Sequence, residues 1–502
     1  MDAQKKRTWF WVVAGLVIVV GFLWSRYWAT QKLMRDLDSK NPRVAREAAA
    51  TLVARNILED SLPAQPVPRR VNAARALGLV GNQGAFTQLA AVLKDPEDKP
   101  QEAATRAFGR AGAPGIPYLL PVLKDADDRA KKAAVAAFSL IGEPAISPLT
   151  KALQNKDQRD QAVKALAQIA IDRFLWAEQA SPPAARAMLA VAEQAIQPLL
   201  QASQDRDLDL RIKAIEALGS CHERRGVPQG IAALQNPDQR LTAIRALGLM
   251  RDPRATMSLV LFLKDQSLRI DTVTALGQIA DLRAVPYLLA ELTDPETQFH
   301  TRAVIALQRI GAPASPQLAQ ALKHPNVYVR RAAAQALCTC RLPAVNGPVT
   351  AALQGDRDPQ VRQAAAAALG WQGNAAAVPA LIAALGDPQW QVADAAVAAL
   401  GHVGPQAVPA LVGLFAQSTD RAYQASRALA SMGEGVSDTL IAQLASANPQ
   451  VRRWSALTLG TLRAKKAEPA LQRMAKSSDP GDRWVAAEAL RKLTVKVSAS
   501  ES

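Results

Sequence analysis

From about residue 40 onward the order of apolar and polar positions keeps repeating. VRRAAAQAL, VRQAAAAALG, VADAAVAALG and VRRWSALTLG are variants of one phrase, and phrases such as VPALIAAL and VPALVGLF follow them. Within each phrase the apolar residues fall three and four apart, the spacing that places them on one side of an α-helix. Taking the Leu or Phe before the usual Gly as an anchor gives Leu52, Leu77, Phe108, Phe138, Leu166, Leu218, Leu247, Leu276, Leu307, Leu337, Leu369, Leu400, Leu429, Leu459 and Leu490. Most steps between them are 28 to 32 residues. Two such helices cannot cover their own apolar sides, so successive pairs must stack and share a continuous core. The expected fold is all-α: an α-solenoid, a superhelix of about fifteen two-helix repeats.

The polar residues punctuate the same unit. Asp or Asn, often before Pro, precedes the leading helix at Asn236-Pro237, Asp294-Pro295, Asp358-Pro359, Asp387-Pro388, Asn448-Pro449 and Asp479-Pro480. A cap oxygen followed by an imino ring suits a first turn, where a missing N–H costs nothing. A second proline, as at Pro148, Pro228, Pro286, Pro379, Pro409 and Pro469, is expected to open the trailing helix. Seven residues before the anchor stands a base: Arg70, Lys131, Arg159, Arg211, Arg240, Arg269, Arg330, Arg362, Arg452 and Arg483. A cation early in a helix opposes the macrodipole and needs compensation. Eight of these bases follow an Asp or Asn by four residues, so stacking is expected to set a row of bases beside a row of caps as a structural Arg–Asp ladder.

The combined pattern D-P-x-V-R-x-A-A-x-A-L-G, then V-P-x-L, resembles the HEAT-like repeats of the phycobilisome lyase type over about residues 41 to 493. The resemblance implies an armadillo/HEAT-type solenoid. It also implies a family that includes chromophore-attaching lyases, scaffolds and adaptors, and a di-iron hydroxylase acting on a modified lysine.

The repeat begins after a different kind of segment. Residues 9 to 24, WFWVVAGLVIVVGFLW, carry no charge, and continuing to Trp28 gives 20 residues, enough to cross roughly 30 Å of hydrocarbon. Trp9 and Trp11 mark one end of it and Trp24, Tyr27 and Trp28 the other, where amphipathic rings favour the interface. The following SRYWATQ offers no small-residue pair for signal cleavage, so the stretch is expected to remain as a transmembrane helix. The expected organisation is a short basic tail at 1–8, a membrane helix at 9–28, the solenoid at 29–493 and a polar tail at 494–502. Bases lie on both sides of the span. A short tail with Lys5, Lys6 and Arg7 is retained more readily than a large domain, which favours a single-pass protein with its solenoid on the extracytoplasmic side. TQKLMRDLDS, just after the span, reads as a lone capping helix.

The spacing breaks once more. Leu166 and Leu218 lie 52 residues apart, so about 167–200 forms an irregular unit, either a lengthened helix pair or an extra hairpin. Trp176 lies on it and could dock a partner.

Composition and charge narrow the function less than the fold. With 49% hydrophobic residues and 21% charged, a disordered chain is excluded. A net charge of +16 allows an anionic membrane, nucleic acid or acidic protein as partner. Cys221, Cys338 and Cys340 cannot build a disulfide framework and lack Cys-x-x-Cys spacing. No motif of a zincin, P-loop, nucleophile elbow or calcium loop is present. The hydroxylase that the pattern resembles takes its iron ligands from several His-Glu pairs near helix starts. Here one pair, His222-Glu223, stands in the turn after an anchor, too few for two irons. No catalytic residue, metal or cofactor is therefore assigned, and neither a small-molecule substrate nor nucleic acid is expected. Trp371, Trp390, Trp454 and Trp484, in a chain with 5% aromatics, are candidate anchors for a protein partner, Trp390 being placed in the turn before its helix. The leading expectation is a non-catalytic membrane scaffold that binds another protein along its solenoid. The alternatives are a lyase- or hydroxylase-like enzyme and, behind these, a nucleic-acid-binding solenoid.

Overall fold

The computed structural model describes residues 25, 27–37, 41–54, 66–293, 297–340 and 343–494. Every regular element among them is helical, and all fifteen anchors lie in leading helices, from Leu52 in Pro42–Ala54 to Leu490 in Pro480–Thr494. The anchors from Leu52 to Leu459 are fully buried. The position lies in the core of the stack, which is why Leu or Phe holds it. The chain divides into two compact units, Met1–Met250 and Arg251–Ser502.

Within each unit, consecutive leading helices touch through their backbones. The glycine after the anchor meets the alanine before the next anchor: Gly78 and Ala107, Gly219 and Ala246, Gly277 and Ala306, Gly370 and Ala399, Gly460 and Ala489. A Cβ on any of these glycines would lie 2.5 to 2.8 Å from the nearest atom of that alanine. The Leu-Gly signature is thus a contact requirement between helices.

Helix starts follow the sequence in part. Asp358 accepts from the amides of Gln360 and Val361, Asn448 from that of Gln450, and Asp207 from those of Asp209 and Leu210. Each such cap contributes about 1 kcal/mol. Asp387 and Asn236 instead close turns before their helices, which begin at Trp390 and Arg240. Asp294 lies outside the described residues. Prolines 228, 286, 316, 379, 409 and 469 occupy the first turns of trailing helices, as expected. Pro148 does not: it lies inside Glu143–Ala152, where Pro144 holds the first turn.

The base row links repeats, with a different acceptor from the one expected. Arg70 pairs with Asp95 at 2.8 Å, Arg330 with Asp356 at 2.7 Å and Arg362 with Asp387 at 2.7 Å. These carboxylates lie before the next leading helix, and Asp356 stands two residues before the cap Asp358. That cap takes the adjacent base instead, Arg331. The Arg330, Arg362 and Arg452 guanidiniums also donate to carbonyls of their own turns, so each braces the turn behind it and the repeat ahead. Arg159 reaches the cap Asp207, and Arg452 shares Asp482 with Arg453. Arg269 lies over the Phe299 ring, 4.9 Å from its centre. Arg211 and Arg240 donate to carbonyls of their own turns, as does Arg483. Lys131 pairs with Asp128 within one helix, too short a reach to join the ladder.

Two irregular regions resolve differently. The 167–200 unit is a lengthened pair, Arg159–Ala177 packed on Pro182–Ala202, with no added hairpin. At the other end, residues 27–36 are helical, and Leu33, Met34 and Leu37 pack against Ala48, Ala49, Leu52, Ala73 and Ala76. The expected membrane span at 9–28 lies outside the described residues save for its last few. Among the described residues, Trp390–Leu414 has the hydropathy and length of a span. The chain turns inside it at Gly404, φ 75°, and Pro405, so it forms two helices of an ordinary repeat.

Candidate functional site

A leading helix buries its anchor side and exposes a stripe six and two residues before the anchor and two after it. In the second unit this stripe carries two of the aromatic residues that the sequence singled out, Trp371 and Trp484, and Trp390 stands one turn before its first position. Trp371 stands two after its anchor and is 50% exposed, and its ring lies 4.7 Å from that of His402, the equivalent residue one repeat on. Trp484, six before its anchor, is 68% exposed. Trp390 is equally exposed, and it begins its helix rather than sitting in the preceding turn. Tyr423, at the Trp484 position two repeats earlier, is 54% exposed. Residue-by-residue reading missed Tyr423; aligning the repeats on their anchors would have revealed it.

The same stripe carries small and neutral residues between the rings. Gln363, Ala367 and Ala398 occupy it, and the charges at Asp394 and Arg427 pair with each other across repeats at 2.7 Å. Large flat side chains among charges that are already paired make the kind of patch that protein interfaces bury at their centres.

Other candidates have structural partners. Trp454 is half-buried, with its ring 6.3 Å from Phe415. Trp176 is partly exposed on the lengthened hairpin of the first unit, with the Arg173 guanidinium 4.5 Å from its ring centre. His222, at φ 55°, donates from Nδ1 to the Leu249 carbonyl at 2.5 Å. Glu223 caps the following turn and binds Arg225, whose guanidinium holds the Glu223 carboxyl below its ordinary range. These bonds occupy the pair in joining a turn to its neighbours. Among the described residues no group of three or more His, Cys, Asp or Glu could hold a metal ion. Burial pushes the Cys221 thiol up to about 12 and the Cys338 thiol up to about 11, which suppresses thiolate chemistry.

HEAT repeats match the chain over residues 86–172, 196–267, 258–338, 347–431 and 437–500, more than half its length. The chain is a HEAT-repeat protein. No curated protein matches it. Solved structures similar to it include importin beta, at 14% identity over 92% of this chain and 78% of that one, with a TM-score of 0.43. Kap121p matches at 13% identity over 92% of this chain and 56% of that one, with a TM-score of 0.45. The CpcE and CpcF complex of phycocyanin lyase from Nostoc sp. PCC7120 matches at 25% identity over 47% of this chain and 93% of that one, with a TM-score of 0.24. None of these scores reaches 0.5, and what those proteins bind or catalyse stays with them. Within the HEAT repeats of this chain, the exposed stripe of the second unit is the candidate site.

Proposed function

We propose that this HEAT-repeat protein is a non-catalytic scaffold, anchored in a membrane through residues 9–28, that holds a partner protein on the aromatic stripe of its second unit. The observation that carries the reading is the exposure of Trp371, Trp390, Tyr423 and Trp484 on leading helices whose neighbouring charges at Asp394, Arg427, Arg453 and Glu488 are taken up in ion pairs. A soluble protein gains nothing in folding from rings left in water, whereas an interface gains from burying them. The uncharged stretch at 9–24 supports the anchor, and the short basic tail before it supports an extracytoplasmic solenoid. The likeness to phycobilisome-lyase repeats rests on shared repeat motifs, and the bonds of His222 and Glu223 favour a structural role over a hydroxylase-like one.

The test places a photo-crosslinking residue at Gln363, beside the rings, in cells expressing the full chain. A discrete crosslinked protein that disappears in the Trp390→Ala/Trp484→Ala variant, while the variant keeps its unfolding midpoint, is the expected result. Unchanged crosslinking in that variant would remove the aromatic stripe as the binding surface. Anchoring is checked separately: the full chain should stay with membranes through an alkaline wash, and the chain lacking residues 1–28 should be released. Reporters fused at Ser502 should be active outside the cytoplasm.

A further inference from the structure

The stripe that is aromatic in the second unit has another chemistry in the first. Between the leading helices Val67–Val80 and Asp98–Ala111 lies a groove of about 240 Å³. Arg75, Lys99, Arg106 and Arg110 line it, against one carboxylate, Glu102, which pairs with Arg106 at 3.3 Å. Lys99 and Arg110 are exposed and make no hydrogen bond or ion pair among the described residues. Lys99 stands in the first turn of its helix, where the macrodipole disfavours a cation. Arg43 and Arg46, exposed on the preceding leading helix, extend the cationic stripe.

The floor of the groove is apolar, formed by Val71, Leu79 and Ala103. The close approach of Gly78 to Ala107 brings the two helices together beneath it. A groove further along this face, between the leading helices Asp128–Ile141 and Arg159–Ala177, offers an internal contrast: there Lys132 and Lys164 are matched by Asp128 and Asp172. The excess of positive charge is therefore a property of one groove and not of the repeat.

We infer that this groove is a docking site for an acidic, amphipathic segment of a partner protein. Its carboxylates meet Lys99, Arg106 and Arg110, and its apolar side chains meet Val71, Leu79 and Ala103. From Lys99 to Arg110 the helix advances about 16 Å, the length of roughly five residues of extended chain or three turns of helix. Both halves of the groove select this occupant. A nucleic-acid strand would match the bases, but Glu102 interrupts a phosphate track and no aromatic residue in the lining offers a stacking surface. A bilayer would reach the rim of a recess between two helices and leave its apolar floor uncovered. The site is separate from the aromatic stripe of the second unit and does not depend on it.

The experiment measures fluorescence anisotropy of a short labelled peptide of alternating Glu and Leu pairs with the full chain in nanodiscs of neutral lipid. Binding should weaken as salt is raised, and it should be absent for the same peptide with Gln in place of Glu. Arg106→Glu/Arg110→Glu should reduce it roughly tenfold or more, and that variant should gain affinity for the peptide with Lys in place of Glu. This gain shows that the variant is folded. Lys132→Glu/Lys164→Glu, in the charge-matched groove further along, and Trp390→Ala/Trp484→Ala should leave binding unchanged. Equal binding of the Gln peptide, or unchanged binding in the Arg106/Arg110 variant, would overturn the inference. So would stronger Arg106- and Arg110-dependent capture of phosphatidylserine vesicles or of a poly(dT) oligonucleotide, in favour of a lipid or nucleic-acid surface.

Discussion

At the scale of single residues, what holds one repeat to the next is a carboxylate set in the path of a guanidinium. Asp387 is partly buried and bound through both oxygens to Arg362, and it also accepts the Gln389 amide, so removing the arginine leaves a largely covered charge with one partner. Arg362→Ala is expected to cost on the order of 2 to 4 kcal/mol, read as a lower urea midpoint, whereas Arg483→Ala, which loses only carbonyl contacts, should cost about 1 kcal/mol. The arginines beside them hold the carboxyls of Asp387 and Asp358 below their ordinary range. A folded pKa below the unfolded value of about 3.9 means that this stabilisation is complete above that pH and is lost as pH falls through the folded value. The unfolding midpoint of the full chain should therefore drop below roughly pH 4, and Arg362→Ala should show a shallower drop. Of the bases at the seven-residue offset from the anchor, Arg70, Arg159, Arg330, Arg362 and Arg452 reach a carboxylate of the next repeat, and the adjacent Arg331 and Arg453 do so without having been singled out. The sequence misplaced their acceptors, because stacking geometry and not chain spacing decides which carboxylate a long side chain meets.

At the scale of the helix, contact distance governs substitution. Gly370 lies on the inner side of Pro359–Gln372, and a Cβ there would come within 2.5 Å of the Ala399 Cα. Backbone cannot retreat as a side chain can, so Gly370→Ala should destabilise by about 1 to 3 kcal/mol although alanine is the better helix former. Gly355→Ala, with open space around its Cβ position at a helix end, serves as the control in the same thermal melt. Helix positions were legible in the chain because a three-and-four spacing of apolar residues, cap oxygens and first-turn prolines agree with one another. Boundaries were less so: Trp390 joined its helix and Pro148 fell inside one, since the fold accepts a first turn in more than one register.

At the scale of the whole molecule, the two proposed surfaces use equivalent helix positions within their own units and differ in chemistry, aromatic in the second unit and cationic in the first. Combining Trp390→Ala/Trp484→Ala with Arg106→Glu/Arg110→Glu should change the unfolding free energy by no more than about 0.5 kcal/mol per substitution while removing both binding activities, because exposed side chains contribute little to folding. By itself the sequence determined the all-helical class, the stacked pairs and the anchor positions, for these follow from local periodicity repeated until chance is excluded. Tertiary structure alone decided the rest. Whether a tryptophan lies in water depends on its phase and on what is placed beside it: Trp454, five before its anchor, has Phe415 against its ring, and Trp484, six before its anchor, remains exposed. The cationic groove likewise exists only where Arg75 on one helix is brought alongside Lys99 and Arg110 on the next. Burial and charge balance are properties of surfaces in contact, and the chain brings those surfaces together only when its repeats stack.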